Sequence, residues 1–479
     1  MKNIPPPNPV SPKLSRRDFT AALGASALTA AAMPLSGAAP QLPFCGITPY
    51  SAPRGRKRWF KGNTHMHTLR SDGEAFPVEA AALFKREGYD FICITDHNVT
   101  AAEPHIPFAV DSRKGKKVKP ANLEAFKRDF PEFERCIAVS GDGAAAQYTA
   151  AQFDEFAELL GKDGNFLVIS GNEVTAAPTG GNELHCNFLN YTKPCRAENK
   201  ITVEECLDWI RGEYARETRF SPLSMMTVNH PLWVSYDVPP RLIADRPDLR
   251  FFEVCNSGSM PRFNLPGDEF THDKWWDVVN TIRATRAEAL IYGIACDDIH
   301  VYTAMRERKR RVAGYVQVLT EELTIQGLMQ AFYRGDFYAS TGLDLESVVF
   351  NEETRTLTVE VDPKHGDDCT ISFIGSKKGV NTSVSETVHW DIKGELNSWL
   401  VNDRKFSRKR TVERYSDAIG QTLKSVKGRA ASYTLKPDDL YVRARISAPA
   451  NAKIANRENV FPVAWTQPVV NRISGPITQ

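Results

Sequence analysis

A β/α barrel followed by a small all-β domain is the architecture this sequence predicts, and three observations predict it. From Trp59 to about Leu319 short apolar runs alternate with longer amphipathic stretches, the pattern of repeated β/α units. Most of those runs end in a histidine or a carboxylate, as expected where the C-terminal ends of parallel strands converge on one rim. From about Leu343 the pattern changes to period-two alternation, which reads as a sandwich-like domain ending near Val470.

Composition narrows the function classes. A chain of 479 residues suits two domains, and 42% hydrophobic with 25% charged content is that of a soluble globular protein. The formal charge of +2 gives no global pull towards a polyanion, so nucleic acid is not an expected partner. No apolar run reaches the length of a membrane span in the mature protein. The nine cysteines contain no Cys-x-x-Cys pair, which excludes a zinc knuckle, and Cys93, Cys255 and Cys296 sit in apolar runs as buried thiols.

In chain order, residues 1–38 read as an export signal. Arg16-Arg17 and Phe19 precede an uncharged alanine-rich run and a small-residue stretch, with cleavage expected near Ala38. The segment resembles the twin-arginine type, which implies the twin-arginine export machinery as a partner and a periplasmic or secreted destination. Residues 39–57 form a proline-rich linker, and the barrel is expected over 58–342.

The run into Asn63 delivers His65 and His67. Residues two apart in an extended segment point to the same side, so both imidazoles can hold one ion. Asp72 follows in a Ser-Asp-Gly turn from which its carboxylate can swing back. The run over 89–95 ends in Asp96-His97-Asn98, and 166–170 ends in Gly171-Asn172-Glu173. His185 opens the run 186–189. The run 224–228 ends in Asn229-His230, 250–254 in Cys255-Asn256, and 289–295 in Cys296-Asp297-Asp298 with His300 beyond. Six of the ten histidines fall at these positions; His105, His272, His365 and His389 are assigned to surface or structural roles.

An insertion separates His97 from Phe166, with helices expected over 122–133 and 150–160 and a basic loop over 113–119. That loop, like the basic stretch 306–311 after His300, is either solvated or a contact for an anionic substrate. Arg306 lies in the second stretch, and Arg70 in the first motif can reach a phosphate or face solvent. A strand near 314–319 closes the barrel and a helix over 322–334 follows. The β domain, 343–479, has strands expected over 356–361, 370–374, 387–392 and 441–446, and a further basic stretch over 404–410.

His65, His67, Asp72, His97, Glu173, His185, His230, Asp298 and His300 are too many donors for one ion and suit two or three with a bridging carboxylate. Imidazole and carboxylate without thiolate favour zinc, manganese or iron. Clustered divalent ions generate a metal-activated hydroxide near neutral pH and neutralise phosphoryl oxygens, so phosphate ester hydrolysis is the expected reaction.

The order His65-x-His67, Ser71-Asp72-Gly73, Thr95-Asp96-His97-Asn98, Glu173, His185, Asn229-His230-Pro231 and Asp298-x-His300 resembles the PHP (polymerase and histidinol phosphatase) domain. The resemblance covers roughly 58–342 and implies a distorted (β/α)7 barrel, a two- or three-metal site and phosphoesterase activity. It implies that all nine residues are ligands, with Glu173 the bridge and Asp72 serving a second ion. Spacing to His300 favours Asp298 over Asp297. Asp96 and Asn98 would orient His97, although Asp96 equally suits a turn. A small phosphorylated substrate, such as a nucleotide or sugar phosphate, is the expected partner. A metal hydrolase of non-phosphate bonds, in the manner of amidohydrolases, and a binding protein with structural metals are the competing readings.

Overall fold

The structure is a computed structural model. It describes residues 48–104, 108–109, 118, 120–142, 146–178, 183–197, 202–218, 223–232, 238–258, 271–309, 313–395, 405–449 and 462–470, with backbone alone at 108–109, 390–395 and 405–412. The chain divides into two units, Met1–Ala39 and Pro40–Gln479. The first unit, and with it the signal-like motif, lies outside the described residues, as do most of the 113–119 loop, Arg310, Arg311 and Arg404.

In the second unit, β1 (Arg58–Asn63) and β2 (Phe91–Ile94) are parallel and joined by α1 (Pro77–Arg86). The Phe91 ring lies where a side chain at Gly62 would stand, so only glycine fits opposite it. The insertion carries β3 (Phe108–Ala109), α2 (Pro120–Asp129), β4 (Ile137–Ser140), β5 (Gln147–Ala150) and α3 (Phe153–Gly161). Pro131 stops α2 short of its expected length, because the residue before a proline is pushed out of the helical region. Its three strands form a small separate sheet that the sequence did not announce. Phe126, Phe133, Phe156 and Leu160 of the insertion share a core with Leu83 and Phe84 of α1 and with Tyr302.

Next come β6 (Leu167–Ala176), β7 (Leu184–Leu189), α4 (Val203–Thr218), β8 (Met225–Val228), α5 (Pro240–Ala244), β9 (Phe251–Asn256), α6 (His272–Thr285) and β10 (Tyr292–Cys296). The first part of β6 pairs parallel with β2, and from Gly171 onwards it pairs antiparallel with β7. Gly171 permits this change of partner: a Cβ there would stand 2.7 Å from Cys93 Sγ and 2.8 Å from the Phe188 carbonyl oxygen. β7 is also antiparallel to β8, whereas β8, β9 and β10 are mutually parallel.

α7 (Thr303–Arg306), β11 (Tyr315–Thr320), α8 (Ile325–Arg334) and β12 (Phe337–Ser340) complete this half. β11 is antiparallel to β1. The strands thus form an open mixed sheet, ordered β10-β9-β8-β7-β6-β2-β1-β11-β12, in which β7 and β11 run against the parallel direction expected of them. β10 stays at an edge and does not pair with β11. At the rim alone the gap is spanned: Asp298 N–H donates to the His65 carbonyl, and His67 N–H to that of Ile299, at 3.0 Å each.

The remainder is all β: β13 (Leu345–Asn351), β14 (Thr356–Val361), β15 (Thr370–Lys377), β16 (Glu386–Glu395), β17 (Lys405–Arg414), β18 (Gln421–Lys427), β19 (Ala430–Thr434), β20 (Asp439–Ser447), β21 (Val463–Thr466) and β22 (Val469–Val470). β12 pairs with β21 and β21 with β20, so the large sheet runs on into β15 and β18. A second sheet, β13-β14-β19, faces it. Leu357, Val359 and Val361 alternate inwards from β14 to meet Phe373, Val442 and Ile446 in one core. No disulfide joins the eight described cysteines, all of them buried. Among the described residues no helix is long and apolar enough to cross a membrane.

Candidate metal centre

The rim receives donors from six strands of the large sheet. His65 and His67 follow β1, His97 follows β2, His230 follows β8, and Asp298 and His300 follow β10. Glu173 lies inside β6, which continues past the point where its apolar run stops. His185 stands at the start of β7. Because that strand runs against its neighbours, its N-terminal end reaches the rim, and the histidine precedes the apolar run.

The structure brings all nine candidate ligands together. Nε2 of His65 and Nε2 of His67 are 3.1 Å apart. Asp298 Oδ1 lies 3.3 Å from the first and 3.1 Å from the second. Glu173 turns Oε1 to His65 at 3.2 Å and Oε2 to His67 at 3.3 Å. Donors held tetrahedrally at zinc distances are spaced by roughly 3.3 Å, so His65, His67 and Asp298 fit one cation, with one Glu173 oxygen beside each histidine. A second group is formed by Asp72, His97 and His300 with His67; Asp72 Oδ2 is 3.4 Å from His300 Nε2 and 3.8 Å from His97 Nε2. A third is formed by Glu173 with His185 Nδ1 at 3.2 Å and His230 Nε2 at 3.7 Å. Glu173 touches every group, the position a bridging carboxylate needs.

Burial sets the electrostatics. His65, His67, Glu173 and His230 are buried, whereas the Asp72 side chain is 47% exposed and that of His97 26%, so the centre opens on the Asp72–His97 side. Burial alone would lower the histidine pKa values. The charges of Asp298, Glu173 and Glu253 outweigh it at His65 and hold that ring well above its ordinary value. Hydrogen bonds to Asp298 and Glu173 likewise carry His67 up to about 10. The charge and hydrogen bond of Glu173 bring His185 to about 9. Burial would raise Glu173 and Asp298, and the surrounding imidazoles instead hold both well below the usual carboxylate range. His97 is lowered, chiefly by burial. These rings and carboxylates are matched to positive charge between them, which metal ions provide without protons.

The structure also places the four residues expected to assist the ligands. Asp96 does not orient His97. Its Oδ1 accepts from the Thr68 and Ser71 amides at 2.7 and 3.1 Å and from Ser71 Oγ at 2.6 Å, while Oδ2 accepts from Thr68 Oγ1 at 2.7 Å. It thereby pins the turn that carries Asp72, and Ser71 Oγ passes this hold on to His67 Nδ1 at 3.2 Å. Asn98 acts through Thr175: Asn98 Oδ1 accepts from the Thr175 amide at 3.0 Å, and Thr175 Oγ1 lies 2.7 Å from His97 Nδ1. Arg306 is buried against Glu79, with Nε donating to its Oε1 at 2.6 Å, and is not available as a substrate contact. Arg70 is also buried, and burial lowers its pKa against the opposing charges of Asp96 and Glu103. The preference for Asp298 fits the geometry, since Asp297 Oδ1 is taken by Ser257 Oγ at 2.6 Å.

The sequence reading gave no role to two residues that hold the ligands, Asn229 and Glu253. Asn229 Nδ2 donates to Glu173 Oε1 at 2.7 Å, and Glu253 Oε1 lies 2.6 Å from His65 Nδ1. The signal for Glu253 was an isolated acid inside the apolar run 250–255, a placement that demands a partner.

Such an assembly, imidazoles and carboxylates without thiolate on an open mixed sheet, defines a candidate multi-ion centre of the kind hydrolases use. Neither a protein-family model nor a curated protein matches the chain. Among solved structures it is similar to a two-domain protein of Bacteroides vulgatus described as containing a predicted PHP-like metal-dependent phosphoesterase, at 17% identity, TM-score 0.37, over 88% of this chain and 97% of that one. It is also similar to a candidate metal-dependent phosphoesterase of Bifidobacterium adolescentis, at 13% identity, TM-score 0.25, over 50% and 87% of the two chains. A third similarity is to an amidohydrolase of Chromobacterium violaceum with bound sulfate and no metal, at 12% identity, TM-score 0.28, over 50% and 88%. At these scores the likeness assigns no chemistry to this chain, and the chemistry rests on the donor geometry.

Proposed function

We propose that the chain is a metal-dependent phosphoesterase that hydrolyses small phosphate esters at a two- or three-metal site. One observation carries the reading: eight donors from the ends of five strands gather around Glu173, and three of them, His65, His67 and Asp298, stand at the mutual spacing of a single coordination sphere. Zinc, manganese or iron would be held by His65, His67, Glu173 and Asp298, by Asp72, His97 and His300, and by His185 and His230 with Glu173. Bound ions supply a water of lowered pKa and neutralise developing charge on phosphoryl oxygens. The protein's part is to fix the ring tautomers, to keep the inner donors dry, and to leave the Asp72–His97 side open for substrate. The choice of phosphate rests on the motif order shared with the PHP domain, as does the finer fold reading of a distorted (β/α)7 barrel, to which the rim bonds between the ends of β1 and β10 lend support.

We infer export from Arg16-Arg17 and the uncharged run that follows them, with the folded, metal-loaded protein carried through the twin-arginine route to the periplasm or beyond. Changing both arginines to lysine in a reporter fused to residues 1–40 should abolish transport; transport that persists removes the claim.

A screen of phosphomonoesters and phosphodiesters beside amides and carbamates, run on wild type and His67→Ala, tests the activity. Phosphate ester turnover lost in His67→Ala is expected. Turnover of amides or carbamates alone would transfer the site to the amidohydrolase-like reading, and a variant changed only in melting temperature would leave a structural metal site.

A further inference from the structure

Glu253 is the only acid in the strand Phe251–Asn256, and it is wholly buried. Its two oxygens reach the segments of two candidate ligands directly and that of a third through Asn256. Oε1 lies 2.6 Å from Nδ1 of His65. A carboxylate only accepts, so the proton sits on Nδ1 and Nε2 is left facing His67, Glu173 and Asp298. Oε2 accepts from the His230 amide at 2.9 Å and from Asn256 Nδ2 at 2.9 Å. The same Asn256 amide group donates to Asp298 Oδ2 at 3.0 Å.

His230 and Asp298 have φ of +21° and +50°. Residues with side chains seldom adopt such values, so these two need to be held. Glu253 is itself no ligand. Its neighbours His65 and Cys296 offer donors within 4.8 Å, yet His65 presents its protonated nitrogen on that side, and Cys296 Sγ donates to Oε1 at 3.1 Å.

We propose that Glu253 is the positioning residue of the centre: it fixes His65 in the Nδ1–H tautomer and locks the His230 and Asp298 segments in register with it. The proposal rests on the metal-site part of the function above and is independent of the ester cleaved. Histidine ligands whose second nitrogen is held by a carboxylate are fixed in orientation and made more basic, and loss of that partner costs about 10–100-fold in metal affinity.

Glu253→Gln keeps the shape, but one end of an amide is a donor. It must then oppose either His65 Nδ1–H or the His230 and Asn256 N–H groups. Zinc titration of the metal-stripped protein against a competing chelator should show zinc bound about 10–100-fold more weakly by E253Q, with circular dichroism unchanged. Nitrogen-15 histidine spectra of zinc-loaded wild type should place the His65 proton on Nδ1, a signature that a merely packing role would not set. Wild-type zinc affinity in folded E253Q, or a His65 proton on Nε2, overturns the proposal. If E253Q does not fold, the wild-type tautomer decides. Neither readout uses turnover: zinc weakened in E253Q beside a wild type inert on phosphate esters upholds Glu253 and overturns the phosphoesterase reading.

Discussion

Asp298 donates its backbone N–H to the carbonyl oxygen of His65 at 3.0 Å, joining the end of the edge strand β10 to that of β1, with which it does not pair. The candidate centre is thus framed by the ligand segments themselves, and whatever displaces the end of β10 should be felt at His65. Gly314 packs against that end: a Cβ there would lie 1.8 Å from the Cys296 carbonyl oxygen. Gly314→Ala should therefore lower stability by at least about 1–3 kcal/mol, as overpacking does, and weaken metal retention. Denaturant titration and metal analysis check both. Unchanged values would mean that the rim adjusts without strain.

Arg443 on β20 holds Asp277 on α6 through Nε at 2.9 Å and Nη2 at 2.7 Å, with its guanidinium fully buried over the Trp276 ring. Removing one partner of a buried pair leaves the other charge uncompensated. Arg443→Ala should cost about 3–5 kcal/mol. Since the pair ties the C-terminal strands to a helix of the first half, calorimetry should show one transition for wild type. Two separate transitions, with the variant affecting only one, would show that the halves melt independently.

The metal-stripped protein should lose stability in alkali. His67 and His185 are raised to about 10 and about 9 by the neighbouring Glu173 and, for His67, Asp298. A raised pKa stabilises fully below the unfolded value near 6.5, and the contribution fades as pH rises through the folded value. Melting temperature after chelation should fall between about pH 6.5 and 10, while the metal-loaded form, which needs no such protons, should fall less. Equal slopes for the two forms would contradict this account of the centre.

Arg306 carries a prediction opposite to its sequence reading. Its guanidinium neutralises buried Glu79, so Arg306→Ala should lower the melting temperature, by about 3–5 kcal/mol in stability, and leave KM for a phosphate ester unchanged. A tenfold rise in KM at wild-type stability would return it to the substrate.

Much of the site was legible because its signal is local: a histidine or carboxylate at the end of an apolar run. The direction of β7 was not, since reversing a strand leaves its apolar run the same, and the clue lay in His185 preceding that run. β6 hid its length because Asn172 and Glu173 look like a strand's end until their partners are known. β12 and β21 pair Tyr338 with Thr466, a contact far apart in sequence that no local pattern reveals. The role of Asp96 stayed open for a similar reason, because the amides it binds lie back at Thr68 and Ser71 and not beside His97.

The most direct test of the central claim is the metal content of the purified protein measured together with phosphate ester hydrolysis before and after chelation. Two or three zinc, manganese or iron ions per chain are expected, with hydrolysis lost on their removal and restored on their return. A chain that holds its full complement of ions and hydrolyses no phosphomonoester or phosphodiester would contradict it.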